Sequence, residues 1–411
     1  MHRRTFVSLA VSTLSSAAYG CGGSSENESP EKTDCDDAVP YRGTALHPPV
    51  VEEVFVSIAP DLRGEPDKNL SARLDAAIDD ILKKTKAPGI TAAVGIPGQG
   101  IWYVSRGLAI TDPPTPIEDA SLFHFASAGK AFTAAVIMQL VREGKLRYED
   151  PLAKWFRDFP NAKAITVEHL LTHTSGIYSF NSGDSPSGRK EYTAPDAAIQ
   201  IARKHGNLFC PGAYWNYSNT GYTFLGKIVE IMDGKPFHEA VQTRIITPLG
   251  LKHTVALAPR QKLEKLATGH IGGKPARDFD LTTPYAAGNI VGRADDQVRF
   301  WHAFLSGGLV GTNAITESFK HLYPMFADGS GLFYGRGVML YEFSDKGHKN
   351  NWLGHSGGMP FLKAVAAYDI STKVFVAAAI NGDVSAEATA NALLKEVALY
   401  RDSARKSGAK K

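Results

Sequence analysis

The chain has 411 residues, 43% of them apolar, enough to bury a sizeable core and, by length, to fill roughly two domains. Its 45 basic and 42 acidic residues leave a formal charge of +3, which supplies no general pull toward nucleic acid or an anionic membrane. Composition therefore points to a globular protein whose partner is not announced by charge.

Residues 1–20, MHRRTFVSLAVSTLSSAAYG, have a basic start, a short apolar run and small residues before Cys21, the pattern of an export signal. Arg3-Arg4 followed by Phe6 resembles a twin-arginine signal, and AAYGC resembles a lipobox that would acylate Cys21. Tyr19 and Ala18 depart from that pattern, which keeps ordinary cleavage without lipid open. The apolar run is shorter than the ~20 residues needed to span a bilayer, so a lipid on Cys21 is the one membrane contact expected. Residues 21–62, rich in Gly, Ser, Pro and acids over 22–49, read as a flexible tether. An oxidising compartment would permit Cys35 and Cys210 to pair, but spacing does not decide it.

From Asn69, apolar residues at Leu70, Leu74, Ala77, Ile78, Ile81 and Leu82 predict a helix ending near Pro88-Gly89. GITAAVGI and IWYVSRGLAI predict two strands around the 97–100 turn, and a long helix follows at about 127–144. The middle, 145–295, is mostly helical pattern with polar loops. Strand patterns return in GRGVMLYEF, NNWLGHSGG, FLKAVAAYD and KVFVAAAIN, before a last helix at 385–402. Strands at both ends imply one α/β domain, 63–144 with 296–402, and an inserted helical domain at 145–295. The basic stretch 403–411 reads as a disordered, solvated tail rather than a nucleic-acid or lipid arm.

Three stretches carry chemistry. In FASAGKAFTAAVIMQLV, Ser127 and Lys130 stand three apart and share a helix face. A serine hydroxyl needs a base to become a nucleophile, and a lysine can be that base where desolvation lowers its pKa. The plainer alternative is an N-capping Ser127 and a snorkelling Lys130. The same spacing at Ser187/Lys190 and Ser403/Lys406 lies in a polar loop and a charged tail, where a lysine stays protonated. In PGAYWNYSNTGYTFLGKIVE, the overlapping pairs Tyr214/Asn216 and Tyr217/Asn219 offer a phenol and an amide, with an aromatic packing loop as the plain reading. In NWLGHSGGMPF, the run His355-Ser356-Gly357-Gly358 follows a predicted strand, so its amides could face an oxyanion; His270-Ile271-Gly272 is a weaker match.

Together with ITVEHLLTHTSGI, these motifs stand in the order and spacing of the serine β-lactamase-like hydrolases, which the chain resembles over about 70–400. That group includes class C β-lactamases, D-alanyl-D-alanine carboxypeptidases and esterases. The resemblance implies a mixed α/β fold of the β-lactamase/transpeptidase type, an antiparallel sheet flanked by helices with an inserted all-helical domain. It implies Ser127 as acylated serine, Lys130 as its partner, Tyr217 as general base and proton shuttle, and Asn219 completing the second motif. His355 and Gly357 match the third motif, and the amides of Ser127 and Gly358 the oxyanion hole. No cofactor or metal is implied, and the partner would be a small-molecule or peptide substrate, such as cell-wall peptide.

Gly129 stands where Ser or Thr is usual, Met359-Pro360-Phe361 replaces Thr-Pro-Gly, and His355 replaces a common lysine, which favours an ester or carboxypeptidase substrate over penicillin. A D-amino-acid amidase and a non-turnover penicillin-binding sensor are the competing functions. Pocket selectivity is expected from 178–193 and 322–336. His169 and His173 have the spacing of a helical zinc pair but lack the HExxH glutamate, so a structural role is expected.

Overall fold

In the computed structural model, which describes residues 33–58, 61–182, 190–326, 330–345 and 348–408, the two ends of the chain build one sheet. The export signal, Cys21 and the start of the tether lie outside the described residues. Helix α1 (Lys68–Thr85) begins where the Asp67 carboxylate accepts from the amides of Asn69 and Leu70, and ends on Lys86 in the left-handed conformation. Strands β1 (Gly89–Ile96) and β2 (Gly100–Thr111) follow as predicted from their patterns, and a short strand β3 (Pro114–Pro116), which the pattern did not predict, comes after them. The buried helix α2 (Lys130–Arg142), then α3 (Val167–Thr172), α4 (Asn219–Asp233) and α5 (Ala294–Leu305) come from the middle of the chain. Strands β4 (Tyr323–Pro324), β5 (Leu332–Tyr334), β6 (Met339–Asp345), β7 (His348–Met359), β8 (Leu362–Asp369) and β9 (Val374–Ile380) precede helix α6 (Ala386–Gly408).

The nine strands pair antiparallel in the order β3-β2-β1-β9-β8-β7-β6-β5-β4. Alternate residues point to opposite faces. Ala92, Val94, Val365, Val376 and Ala378 pack with Leu70, Leu74 and Ile78 of α1 and Leu393 and Val397 of α6. Ala93, Ala366 and Ala377 pack with Val298 and Trp301 of α5. Small residues at the centre of β1, β8 and β9 let the helices approach closely, and each large side chain fully buried there contributes roughly 1.5–3 kcal/mol. Helix α2 is buried from Lys130 to Leu140, as a helix apolar on every side must be. It joins the sheet and the helices of the middle segment in one continuous core.

Two expectations change. Residues 33–58, taken as tether, pack on the body. Cys35 and Cys210 form a disulfide, the amides of Val39 and Arg42 donate to the carbonyls of Pro211 and Ala213, and Phe55 and Ile58 are buried. The segment has no periodic face, but its backbone groups find partners in distant loops and its two apolar side chains find a ready-made hollow. At the other end, α6 continues through 403–408, expected to be disordered, because Ala, Arg and Lys are good helix formers and no breaker precedes Gly408. Helix α3 ends on His173, which takes the left-handed C-cap conformation. Among the described residues no helix is long and apolar enough to cross a membrane.

Candidate active site

Ser127 lies in a one-turn 3-10 segment, Ala126–Gly129, that leads straight into α2. Ala126 sits at φ +46°, a strained conformation for a residue with a side chain. Its amide donates to Nδ1 of buried His124 (2.9 Å), whose Nε2–H donates to the carbonyl of Leu281 (3.0 Å). The two bonds fix the neutral tautomer, and burial, its dominant cause, holds the His124 pKa down at about 4. The turn is also clamped by close backbone contact. A Cβ at Gly357 of β7 would lie 2.2 Å from the Phe125 carbonyl oxygen and 2.7 Å from the Ser127 nitrogen. One at Gly129 would meet Ile290 at 3.0 Å, so the glycine that departs from the family pattern stands where a larger residue is crowded out.

These contacts make Gly357 a sensitive position. Gly357→Ala is expected to push strand and turn apart and lower kcat on the order of 10²- to 10³-fold, the size of losing one oxyanion donor. Steady-state rates with an ester check it; undiminished kcat would contradict the close approach.

The plainer reading of Ser127 and Lys130 fails here. No side-chain cap is made at the start of the turn or of α2, and Lys130 is 0% exposed. Its Nζ lies 2.7 Å from Asn219 Oδ1, 2.8 Å from the Ala287 carbonyl oxygen and 3.2 Å from Ser127 Oγ. It also lies 4.7 Å from the Tyr217 ring centre and 5.3 Å from that of Tyr222. Desolvation holds the Lys130 pKa well below the usual lysine value. A neutral amine has two hydrogens, and the two short contacts are to oxygens that can only accept. With the amine neutral, the longer contact is the Ser127 hydroxyl donating to its lone pair; with it protonated, Nζ donates to Oγ. Asn219 is oriented for this by donating from Nδ2 to Asn181 Oδ1 (2.9 Å), which also accepts from the Ser179 hydroxyl (2.8 Å).

Tyr217 keeps its hydroxyl out of solvent and without a hydrogen-bond partner among the described residues. Burial raises its pKa, and the nearby Ser127 hydroxyl offsets part of that rise. Burial thus disfavours both the phenolate and the ammonium, so Lys130 joins Tyr217, the general base that the resemblance implies, as a candidate to take the serine proton. His173 supports Tyr217: its Nδ1 accepts from the Ser218 amide (3.1 Å), and its ring centre is 4.2 Å from that of Tyr217. His169 Nδ1 accepts from the Thr166 amide, closing a capping box. The two histidines of HLLTH thus serve separate local bonds. Tyr214 packs edge-on against Phe209, and His270 bridges the Thr111 amide and the Asn381 carbonyl away from the cavity.

His355 lies inside β7 rather than after it. It is buried, with Nε2 accepting from the Tyr334 hydroxyl (3.0 Å) and Nδ1 donating to the Ser356 carbonyl (2.5 Å). Burial first, and the charge of Lys130 second, draw its pKa down to about 3. It is therefore a neutral support for the strand and supplies no cation.

Ser127 opens into a cavity lined, among the described residues, by Phe180, Asn181, Asn219, Asp280, Thr283 and Met359, together with Ala126, Pro284, Ala287 and Gly358. The 178–193 segment contributes Phe180 and Asn181, as expected, although 183–189 lie outside the described residues. The described residues of the 322–336 segment contribute nothing to the wall; its Tyr334 backs His355 instead. The missing side comes from 280–287, which the motif search passed over. The DLTTP run was the available signal, an acid and two hydroxyls ahead of a proline. Among the described residues no group of His, Cys, Asp or Glu is placed to hold a metal.

The family model described as Beta-lactamase matches residues 74–399. The chain belongs to the beta-lactamase family. Putative penicillin-binding protein PbpX of Bacillus subtilis (strain 168) is 28% identical over 320 residues, 75% of this chain and 78% of that protein. Esterase EstB of Burkholderia gladioli is 28% identical over 262 residues, 58% of this chain and 66% of that one. D-amino acid amidase from Ochrobactrum anthropi SV3 superposes with a TM-score of 0.74 at 24% identity, over 81% of this chain and 100% of that one, a likeness of fold. This beta-lactamase family member is a serine hydrolase with the β-lactamase/transpeptidase-like fold expected from its motifs.

Proposed function

We propose that this hydrolase cleaves an ester, or a comparably activated amide, through an acyl-enzyme on Ser127. The observation that carries the reading is the placement of the Lys130 amine, desolvated and 3.2 Å from Ser127 Oγ. In the proposed sequence Oγ attacks the substrate carbonyl as its proton passes to Lys130 Nζ. The oxyanion is held by the amides of Ser127 and Gly358. The Tyr217 phenol protonates the leaving group and regains its proton from the Lys130 ammonium. Water then attacks the acyl carbon, giving its proton to Lys130, and the Lys130 ammonium returns a proton to Ser127 Oγ as the acyl bond breaks and the acid leaves.

The character of the pocket supports esters over β-lactams and D-alanyl-D-alanine peptides. Both of the latter present a carboxylate, and none of the described residues lining the cavity is a cation. The relatives named as an esterase and a penicillin-binding protein are consistent with acyl chemistry on either substrate type. Residues 1–20 support export, with Cys21 as a lipid site, and a substrate in the cell envelope. A panel of p-nitrophenyl esters, nitrocefin and D-Ala-D-Ala peptides tests the substrate reading. Esters should give the highest kcat/KM; faster nitrocefin turnover, or a stable penicillin adduct with no ester turnover, would overturn it.

A further inference from the structure

Resting on that acyl-enzyme reading, we propose that Asp280 binds a cationic nitrogen on the acyl part of the substrate, so that the preferred substrates are aminoacyl esters or amides. Among the described residues, Asp280 is the sole ionisable one on the wall of the cavity that holds Ser127. Its carboxylate is fixed through one oxygen. Oδ1 accepts from the amide and hydroxyl of Thr282 (both 2.9 Å) and from the amide and hydroxyl of Thr283 (2.7 and 3.1 Å). The threonines are themselves held, since Thr282 Oγ1 accepts from the Arg260 amide and Thr283 Oγ1 from the Thr193 amide. Shaping the turn uses Oδ1 alone. Oδ2 has no hydrogen-bond or ion-pair partner among the described residues.

Among the described residues, the neighbouring cations are engaged elsewhere. The Arg260 guanidinium stacks on the Tyr192 ring, Lys190 faces Asp278, and Arg277 donates to the Asp112 carbonyl. A fixed carboxylate with an open oxygen, beside Phe180, Pro284 and Met359, suits an ammonium far better than a neutral or anionic group. The residue after it ties this anchor to the nucleophile. The Leu281 carbonyl accepts from His124, and His124 accepts from the amide of Ala126, the residue before Ser127. Anion and nucleophile thus belong to one rigid frame, as selection of an acyl group carrying nitrogen near its carbonyl requires.

The test compares methyl esters that differ in this group alone, alanine of either hand against isobutyric acid, read by methanol release. The wild-type enzyme should favour one alanyl ester over the isobutyryl ester at least about 10-fold in kcat/KM, and Asp280→Asn should lower that ratio about 10- to 100-fold. Asparagine keeps an acceptor for the two threonines, so the ratio reports the lost charge. Fluorophosphonate labelling of Ser127 shows whether the variant retains its site. An unchanged ratio in a variant that labels, or a wild-type ratio near one for both hands, overturns the Asp280 assignment while leaving the acyl-enzyme reading intact. Failure of the wild-type protein to label or to turn over any ester removes the acyl-enzyme reading, and the Asp280 assignment with it.

Discussion

Ser127→Ala is expected to abolish turnover, with kcat falling on the order of 10⁴- to 10⁶-fold. No other hydroxyl can take its place. Among the described residues lining the cavity, Thr283 carries the remaining hydroxyl, and that group donates to Asp280 rather than facing an amine. The variant should fold, because Ser127 is half-buried and its one side-chain hydrogen bond is to Lys130. Intact-protein mass after fluorophosphonate treatment provides the covalent readout, an adduct on the wild type and none on the variant. Hydrolysis at the wild-type rate would overturn the assignment of the nucleophile.

Lys130→Met is expected to lower kcat about 100- to 10,000-fold, the usual contribution of a positioned general base. Methionine matches the length of the stem, but it leaves Asn219 Oδ1 and the Ala287 carbonyl without the hydrogens they now accept. Each buried acceptor so stranded costs about 1–3 kcal/mol, partly offset because a desolvated amine is also removed. The pH dependence separates the base from its packing. Lys130 must be neutral to accept the serine proton, so activity should rise with pH through an apparent pKa well below the usual lysine value and then level off. Below that pKa the amine is protonated and the rate falls about tenfold per pH unit. Burial keeps Tyr217 protonated past its ordinary range, and His355, drawn down to about 3, is already neutral, so neither adds a limb near neutrality. A pH–rate profile of Lys130→Met that kept the same rising limb would assign the base elsewhere. Lys130→Arg should not rescue activity, because a guanidinium stays charged.

Local pattern determined much of this protein. The spacing of Leu70, Leu74 and Ile78 predicts α1 because one helix face must be buried, and the apolar strands β1 and β9 are buried on both faces of the sheet as their sequences imply. The motif order identified Ser127, Lys130, Tyr217 and Asn219, and the structure brings them together because α2 and α4 pack side by side in one core. Tertiary structure decided the rest. The protonation of Lys130, Tyr217 and His355 depends on how much water each has lost, and no residue carries its own burial in its name. The packing of 33–58 depends on partners more than a hundred residues away, among them Cys210 and Pro211. The wall that carries Asp280 forms where the loops of Phe180 and Asp280 meet the end of β7 at Gly358, and loops that pair polar groups across such distances leave no periodic trace in the chain. Sequence alone therefore pointed to the candidate nucleophile and to the sheet, through short-range spacing, while the folded chain decided how much water each ionisable group loses and which side chains line the cavity.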